Sequence, residues 1–317
     1  MISANSSSLI HFTRKMSTLK LILRNGIRYS YAFESFPTGV IYNLICKIPE
    51  LASSLLNYDN GYGVAIPMVS FCDIPLTRAQ EHSKLYGKYG IGIEKEFMVD
   101  IYKHFFNPVI YSSSISLNEA ISFFSAERLR TMERVVSYIK NMTEEDQKDL
   151  HKKIEGKSAS ETIASLPSIL QTDCERHPTE SLNISTLLAL YKPYKGINAW
   201  GKEQVFYDER EWRAFYPNVD GEVYSWFFPC TREDYLKYRD ELNAQISEWE
   251  DGYVTITKNC FDAISHIIVK NDNQRDCIID FILKSQKLFG YPIERNSKSK
   301  YKIISKISSF EKAENDY

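Results

Sequence analysis

Apolar and polar positions change their rhythm several times in the first hundred residues. Leu9-Ile10-His11-Phe12-Thr13 reads as a short strand, and Ser17 to Arg24 then repeats apolar residues at helical spacing. Gly26 stands where a left-handed cap stops that helix. Residues 40–57 form a second apolar stretch, predicted to be helical and broken near Pro49. Asn57 to Gly63 carries turn residues and two glycines, which predicts a loop. Val64 to Phe71 alternates as a buried strand despite Pro67, and Pro75 opens a helix over Leu76 to Tyr86. Tyr89 to Ile93 is a strand whose glycines predict close approach of another backbone. Asn107 to Tyr111 is a further extended piece.

The pattern then turns helical. Leu117 to Met142 has a long helical period, and Thr143-Glu144-Glu145-Asp146 supplies a cap for the next helix. Residues 115–190 therefore read as a mostly helical insertion between two parts of an α+β core, 1–114 and 191–317. In the second part, Gln204 to Phe206 and Trp212 to Tyr216 are predicted strands around a charged turn, Asp208-Glu209-Arg210. Glu222 to Phe228 is another, and residues 231–250 form an amphipathic helix capped by Thr231. Tyr253 to Thr257 and Ile264 to Val269 are strands, 273–289 is a helix stopped by Gly290, and Ile303 to Ile307 is a last edge strand.

Composition narrows the classes. The 317 residues are 43% hydrophobic and 25% charged, as expected for a globular protein able to bury a core. With 39 basic and 41 acidic residues the net charge is -2, which excludes broad electrostatic capture of nucleic acid and leaves room only for a local patch. Six scattered cysteines without a CxxC argue against thiolate-bound zinc. The start of the chain has no secretory pattern, and no apolar run reaches the length of a membrane span. The expectation is a reduced, cytoplasmic protein without a membrane role.

Three groups of residues are candidates for chemistry. His11 and Thr13 fall on one face of an alternating strand, where an imidazole and a hydroxyl suit hydrogen bonding to a ribose or an amide. A strand histidine with one satisfied hydrogen bond has the same spacing. Asp73 and His82 form a second group, with a helix cap as the plainer job for Asp73. A metal hydrolase built from His11, His82 and Asp73 is a minor reading, because no HxxH or HExxH pattern supports it. The third group is Glu209, Glu211 and Arg213, which share a face if the strand starts early. A glutamate there can stabilise an oxocarbenium-like centre; otherwise the group is a solvated Glu–Arg ladder worth a few tenths of a kcal/mol.

The run from Ser70 to Phe97, SFCDIPLTRAQEHSKLYGKYGIGIEKEF, with His11-Phe12-Thr13 before it and Glu211-Trp212-Arg213 after it, resembles the AbiGi family of abortive phage-resistance proteins. The resemblance covers most of the chain and is weakest across 115–190 and after 290. It implies the antitoxin half of a bacterial abortive-infection pair, whose cognate toxin resembles a nucleotidyltransferase. The order of histidine strand, glycine-ended helix, aromatic–serine strand and late glutamate is also similar to ADP-ribosyltransferases. That likeness implies a mixed or antiparallel sheet core that binds NAD. His11 and Thr13 would hold NAD, with Arg213 beside it. Ser70 and Phe71 would line the nicotinamide pocket, and Glu211 would be catalytic with His11. The acceptor of the ADP-ribose would be a protein or a nucleic acid. The second motif is Ser-Phe-Cys-Asp, a departure from that family's usual pattern. Two functions follow: an NAD-using defence enzyme, or a non-catalytic antitoxin that keeps the fold.

Overall fold

The computed structural model describes residues 7–35, 62–75, 79–102, 106–113, 141–154, 190–197, 203–215, 228–246, 252–254 and 258–311. Within them the alternating stretches assemble one nine-stranded sheet. Its strands are β1 (Ser8–Thr13), β2 (Ser30–Ser35), β3 (Tyr62–Cys72), β4 (Tyr89–Glu94), β5 (Phe106–Pro108) and β6 (Glu211–Phe215). They are followed by β7 (Phe228–Thr231), β8 (Ile264–Val269) and β9 (Ile307–Ser309). The order is β9-β8-β4-β1-β3-β6-β5, with β2 and β7 also paired to β3. Only β8 and β9 pair in parallel; every other pairing in this sheet is antiparallel. The helices are α1 (Met16–Asn25), α2 (Ala79–Tyr86), α3 (Lys95–Tyr102), α4 (Glu144–Ile154), α5 (Arg232–Ile246), α6 (Asp272–Lys284) and α7 (Lys298–Ile304). The architecture is α+β.

The long strand β3 organises the sheet because four strands pair with it. β7 pairs with it up to Ala65 and β6 from Met68 onward, so Pro67 falls between those two ladders, where neither calls for its absent N–H. The strand begins at Tyr62, so the predicted loop over 57–63 is corrected at its last two residues. In β4 the glycines do what the sequence predicts. A Cβ on Gly92 would meet Ser265 Oγ at 2.7 Å, and one on Gly90 would meet the His11 carbonyl oxygen at 3.1 Å.

α1 forms as predicted, burying Leu19, Ile22 and Leu23 and ending at Gly26, whose φ is 99°. Its last carbonyls find partners far along the chain. Phe289 N–H donates to Leu23 at 2.8 Å and Gly290 N–H to Arg24 at 2.9 Å. This replaces the predicted end of α6. The helix stops at Lys284, and Phe289-Gly290 instead turn a hairpin between Lys287–Leu288 and Tyr291–Pro292, both with positive φ. Leu288 and Phe289 are buried, and continuing α6 would carry them past the core. The predicted final strand is also corrected: residues up to Ile304 are helical in α7, and the strand is Ile307–Ser309, the sheet edge beside β8. Thr143 Oγ1 caps α4 by accepting from Asp146 N–H at 3.2 Å. The expectations for 40–57, 117–140 and 222–227, and most of the proposed insertion, lie outside the described residues.

The sheet has two unlike faces. One carries Leu9, Val69, Phe71, Ile91, Ala214 and Ile267, which pack with Leu23 of α1, Ile246 of α5 and Ile282 of α6 in the main core. The other has a small apolar cluster around Ile10, Ile74, Ile268 and Phe310. Beyond that cluster it carries a polar group, Ser70 with the buried Glu211 and Arg213, flanked by Met68 and Phe215.

Candidate functional site

The polar part of the second face grows from β6. Glu211 and Arg213 are two residues apart and point the same way, and the register sets them opposite Cys72 and Ser70. On β2, Glu34 pairs with Val64 and lies on this face as well. Glu209 arrives differently from the prediction. The strand does not start early; Glu209 ends a 3-10 turn, Phe206–Glu209, and Arg210 at φ 43° reverses the chain into β6. That reversal brings Glu209 back towards Glu211. The parallel pair Ile110–Ser112 and Tyr191–Pro193 then delivers Tyr111 and Lys192.

The resulting network is dense. Lys192 Nζ is 2.7 Å from Glu209 Oε2 and 3.1 Å from Glu211 Oε2. Arg213 grips Glu211 with two bonds, Nε to Oε1 at 3.0 Å and Nη2 to Oε2 at 3.2 Å. It also reaches Glu34 Oε1 at 2.8 Å. Ser70 Oγ donates to Glu211 Oε1 at 2.5 Å. Gln204 Nε2 donates to Glu209 at 2.6 Å, the Tyr86 hydroxyl donates to the same carboxylate, and Glu211 N–H donates to the Tyr111 hydroxyl at 2.8 Å. Three carboxylates thus face two cations, and Arg213 is 0% exposed. The predicted Glu–Arg pair exists, but it is buried rather than a solvated ladder.

Electrostatics follows from that packing. Burial alone would raise the Glu211 pKa; the Arg213 guanidinium and the Lys192 ammonium outweigh it and hold the carboxyl well below its ordinary value. Burial would likewise neutralise Lys192, yet Glu211, Glu34 and Glu209 keep it charged, with a pKa well above normal. The Cys72 thiol is pushed up by burial and by Glu211 and Glu209, so it is not a reactive thiolate.

His11 is elsewhere. Ile10 pairs with Cys72, so His11 points to the opposite face of the sheet from Ser70, Glu211 and Arg213. The expectation that its imidazole and the Glu211 carboxylate look into one cleft is corrected by this register. The ring lies against Phe71, with centroids 5.8 Å apart, and its Nδ1 is 2.9 Å from the Ser70 carbonyl oxygen. That carbonyl sits between the end of the β2 pairing at Met68 and the β1 pairing at Cys72, so Nδ1–H takes the place of a ladder bond. Burial lowers the His11 pKa, partly countered by that hydrogen bond. This is the strand histidine with one satisfied bond.

The other predicted residues divide between the faces. Thr13 ends β1 on the His11 side, opposite Tyr89. Phe71 is fully buried between the rings of His11 and Phe106, as a core residue rather than the wall of a pocket. Ser70, Glu211 and Arg213 do come together. Asp73 holds Lys95 Nζ at 2.6 Å, and no group of three His, Cys, Asp or Glu among the described residues is placed to hold a metal ion. Among those residues no helix is long and apolar enough to cross a membrane.

The model of the family described as "Putative abortive phage resistance protein AbiGi, antitoxin" matches residues 62–250, well over half of the chain. The chain belongs to the AbiGi family. It is also similar to a protein of Lactococcus lactis subsp. cremoris named abortive phage resistance protein AbiGi. The two are 26% identical over 273 residues, covering 80% of this chain and 89% of the relative. No solved structure matches. The AbiGi match begins at the first residue of β3 and so contains Ser70, Tyr86, Tyr111, Lys192, Gln204, Glu209, Glu211 and Arg213, while His11 and Glu34 lie before it.

Sequence reading missed Lys192, Glu34, Tyr86, Tyr111 and Gln204 as members of the network. The one usable signal was Trp212 with Phe215 around Glu211 and Arg213, because charges in an aromatic strand need partners from elsewhere. Nothing local to Lys192 or Glu34 names them as those partners.

Proposed function

We propose that this AbiGi protein serves abortive infection as a non-catalytic antitoxin that binds a cognate toxin. One observation carries the reading: every acceptor position of Glu211 is occupied from within the fold. Oε1 accepts from Ser70 and Arg213, and Oε2 from Lys192 and Arg213, which uses the four lone pairs of a carboxylate. A ribose hydroxyl would have to displace a buried ionic partner. The network reads as a strut that fixes β2, β3 and β6 to the short strand bearing Lys192, so that an outer surface can be presented. The test is co-expression with a candidate cognate toxin. Wild type and Glu211→Gln should both neutralise, provided that circular dichroism shows both folded. Failure of wild type to protect, or of a folded Glu211→Gln protein, would overturn the reading.

A second reading keeps NAD as a ligand, favoured by Ser70, Glu211 and Arg213 meeting on one face. There Glu211 would orient the ribose once Lys192 swung away. Incubation with labelled NAD and cell extract decides between the two. Label transfer or NAD loss in wild type, absent in folded Glu211→Gln, would establish the enzyme; no turnover leaves the antitoxin.

A further inference from the structure

Away from this network, four cations from three segments converge at one end of the sheet. Arg14 follows β1, Lys84 lies in the last turn of α2, Lys88 precedes β4 and Lys270 follows β8. With Leu85, Gly87 and Tyr89 they line an open hollow of about 600 Å³, and none of the lining residues is acidic. The convergence is built by backbone geometry. Gly87 has φ +109°, and a Cβ there would lie 2.3 Å from the Thr13 carbonyl oxygen and 2.5 Å from Arg14 Cα. Only glycine lets the α2–β4 turn rest against the end of β1. Arg14 Nη2 donates to the Leu85 carbonyl at 3.1 Å, which holds the guanidinium at the rim. Neither Lys84 nor Lys270 forms an ion pair with a described residue.

The hollow gathers four cations with no acidic residue in a chain whose net charge is -2. Its ligand must be anionic at several points. The lining offers ammonium and guanidinium groups, which match phosphate oxygens, but no side-chain amide, and its tyrosine is buried, so no aromatic ring is presented for a base to stack on. We propose that this hollow binds the phosphates of a nucleic-acid backbone. In an antitoxin or in an enzyme the site would be the same, since it shares no residue with the Glu211 network.

The test is fluorescence anisotropy of a labelled single-stranded RNA on the full chain, over a salt series. A Lys84→Glu/Lys270→Glu variant should bind at least about tenfold more weakly at low salt, and its log–log salt slope should fall by about 1.4, at about 0.7 per lost contact. The control is Lys20→Glu/Lys287→Glu, in a second basic hollow that also contains Asp280; it should bind like wild type. No binding by wild type, equal binding by the first variant, or equal weakening by the control would overturn the proposal. Displacement of the RNA by ATP at the same phosphate concentration would overturn it too, assigning the hollow to free nucleotides.

Discussion

The two faces of the sheet are held by opposite means. On one, Phe71 sits among His11, Phe106 and the helices, and its stabilisation comes from apolar area removed from water. On the other, Glu211 and Arg213 on the neighbouring strand are equally hidden from solvent but depend on each other and on ionic partners from two distant segments, Glu34 of β2 and Lys192. The apolar face tolerates loss in proportion to volume. The ionic face does not, because removing one partner leaves a charge buried without compensation. That difference explains why only the second face looks like a site, and why it need not be one.

Breaking the ionic face should have the largest effect. Arg213→Met should cost about 3–5 kcal/mol in urea unfolding, since it takes the ion-pair partner from Glu34 and leaves the buried Glu211 with Lys192 alone. Arg213→Met combined with Glu211→Gln should lose less than the sum of the two single changes. Strict additivity would mean that the pair is not coupled. On the apolar face, Phe71→Ala should cost about 3–4 kcal/mol through transfer and cavity terms. There a second core truncation distant from Phe71 should simply add. At the junction of β4 and β8, Gly92→Ala should cost about 1–3 kcal/mol, because its Cβ would press on Ser265 Oγ and on His266. A neutral effect would show that β8 shifts freely.

The sequence made the first face far more legible than the second. β1, α1, β4 and β8 follow from periodicity, because each carries its own apolar stripe and the sheet merely collects them. The ionic network has no such local record. Glu211 and Arg213 are visible as a spaced pair, yet their partners Glu34 and Lys192 lie 177 and 19 residues from Glu211, and only β-pairing brings them in. His11 misled for the same reason. Its spacing with Thr13 is genuine, but which way a strand residue faces depends on the register with β3, fixed by Ile10 meeting Cys72. The end of α6 was hidden because Phe289 and Gly290 answer to the carbonyls of α1, not to their neighbours.

The smallest effect distinguishes the faces by pH. The His11 pKa is lowered in the folded protein, so the unfolded chain binds more protons between the folded value and the unfolded value of about 6.5. Its share of stability is therefore complete above about pH 6.5 and is lost as pH falls towards the folded value, at no more than about 1.4 kcal/mol per pH unit. The Glu211 carboxyl, also lowered, keeps its stabilisation down to about pH 4.3, the ordinary unfolded value, and loses it only in stronger acid. Urea midpoints measured from pH 7.5 to 3 should show the first loss setting in below about pH 6.5 and the second only below about pH 4.3. His11→Gln, whose amide can still donate to the Ser70 carbonyl, should flatten the upper window alone. Comparison with wild type isolates His11 from His266, whose pKa is also lowered, by burial and by Lys306. A variant that flattened the acid window instead would tie the imidazole to the carboxylate cluster across the sheet, against the register.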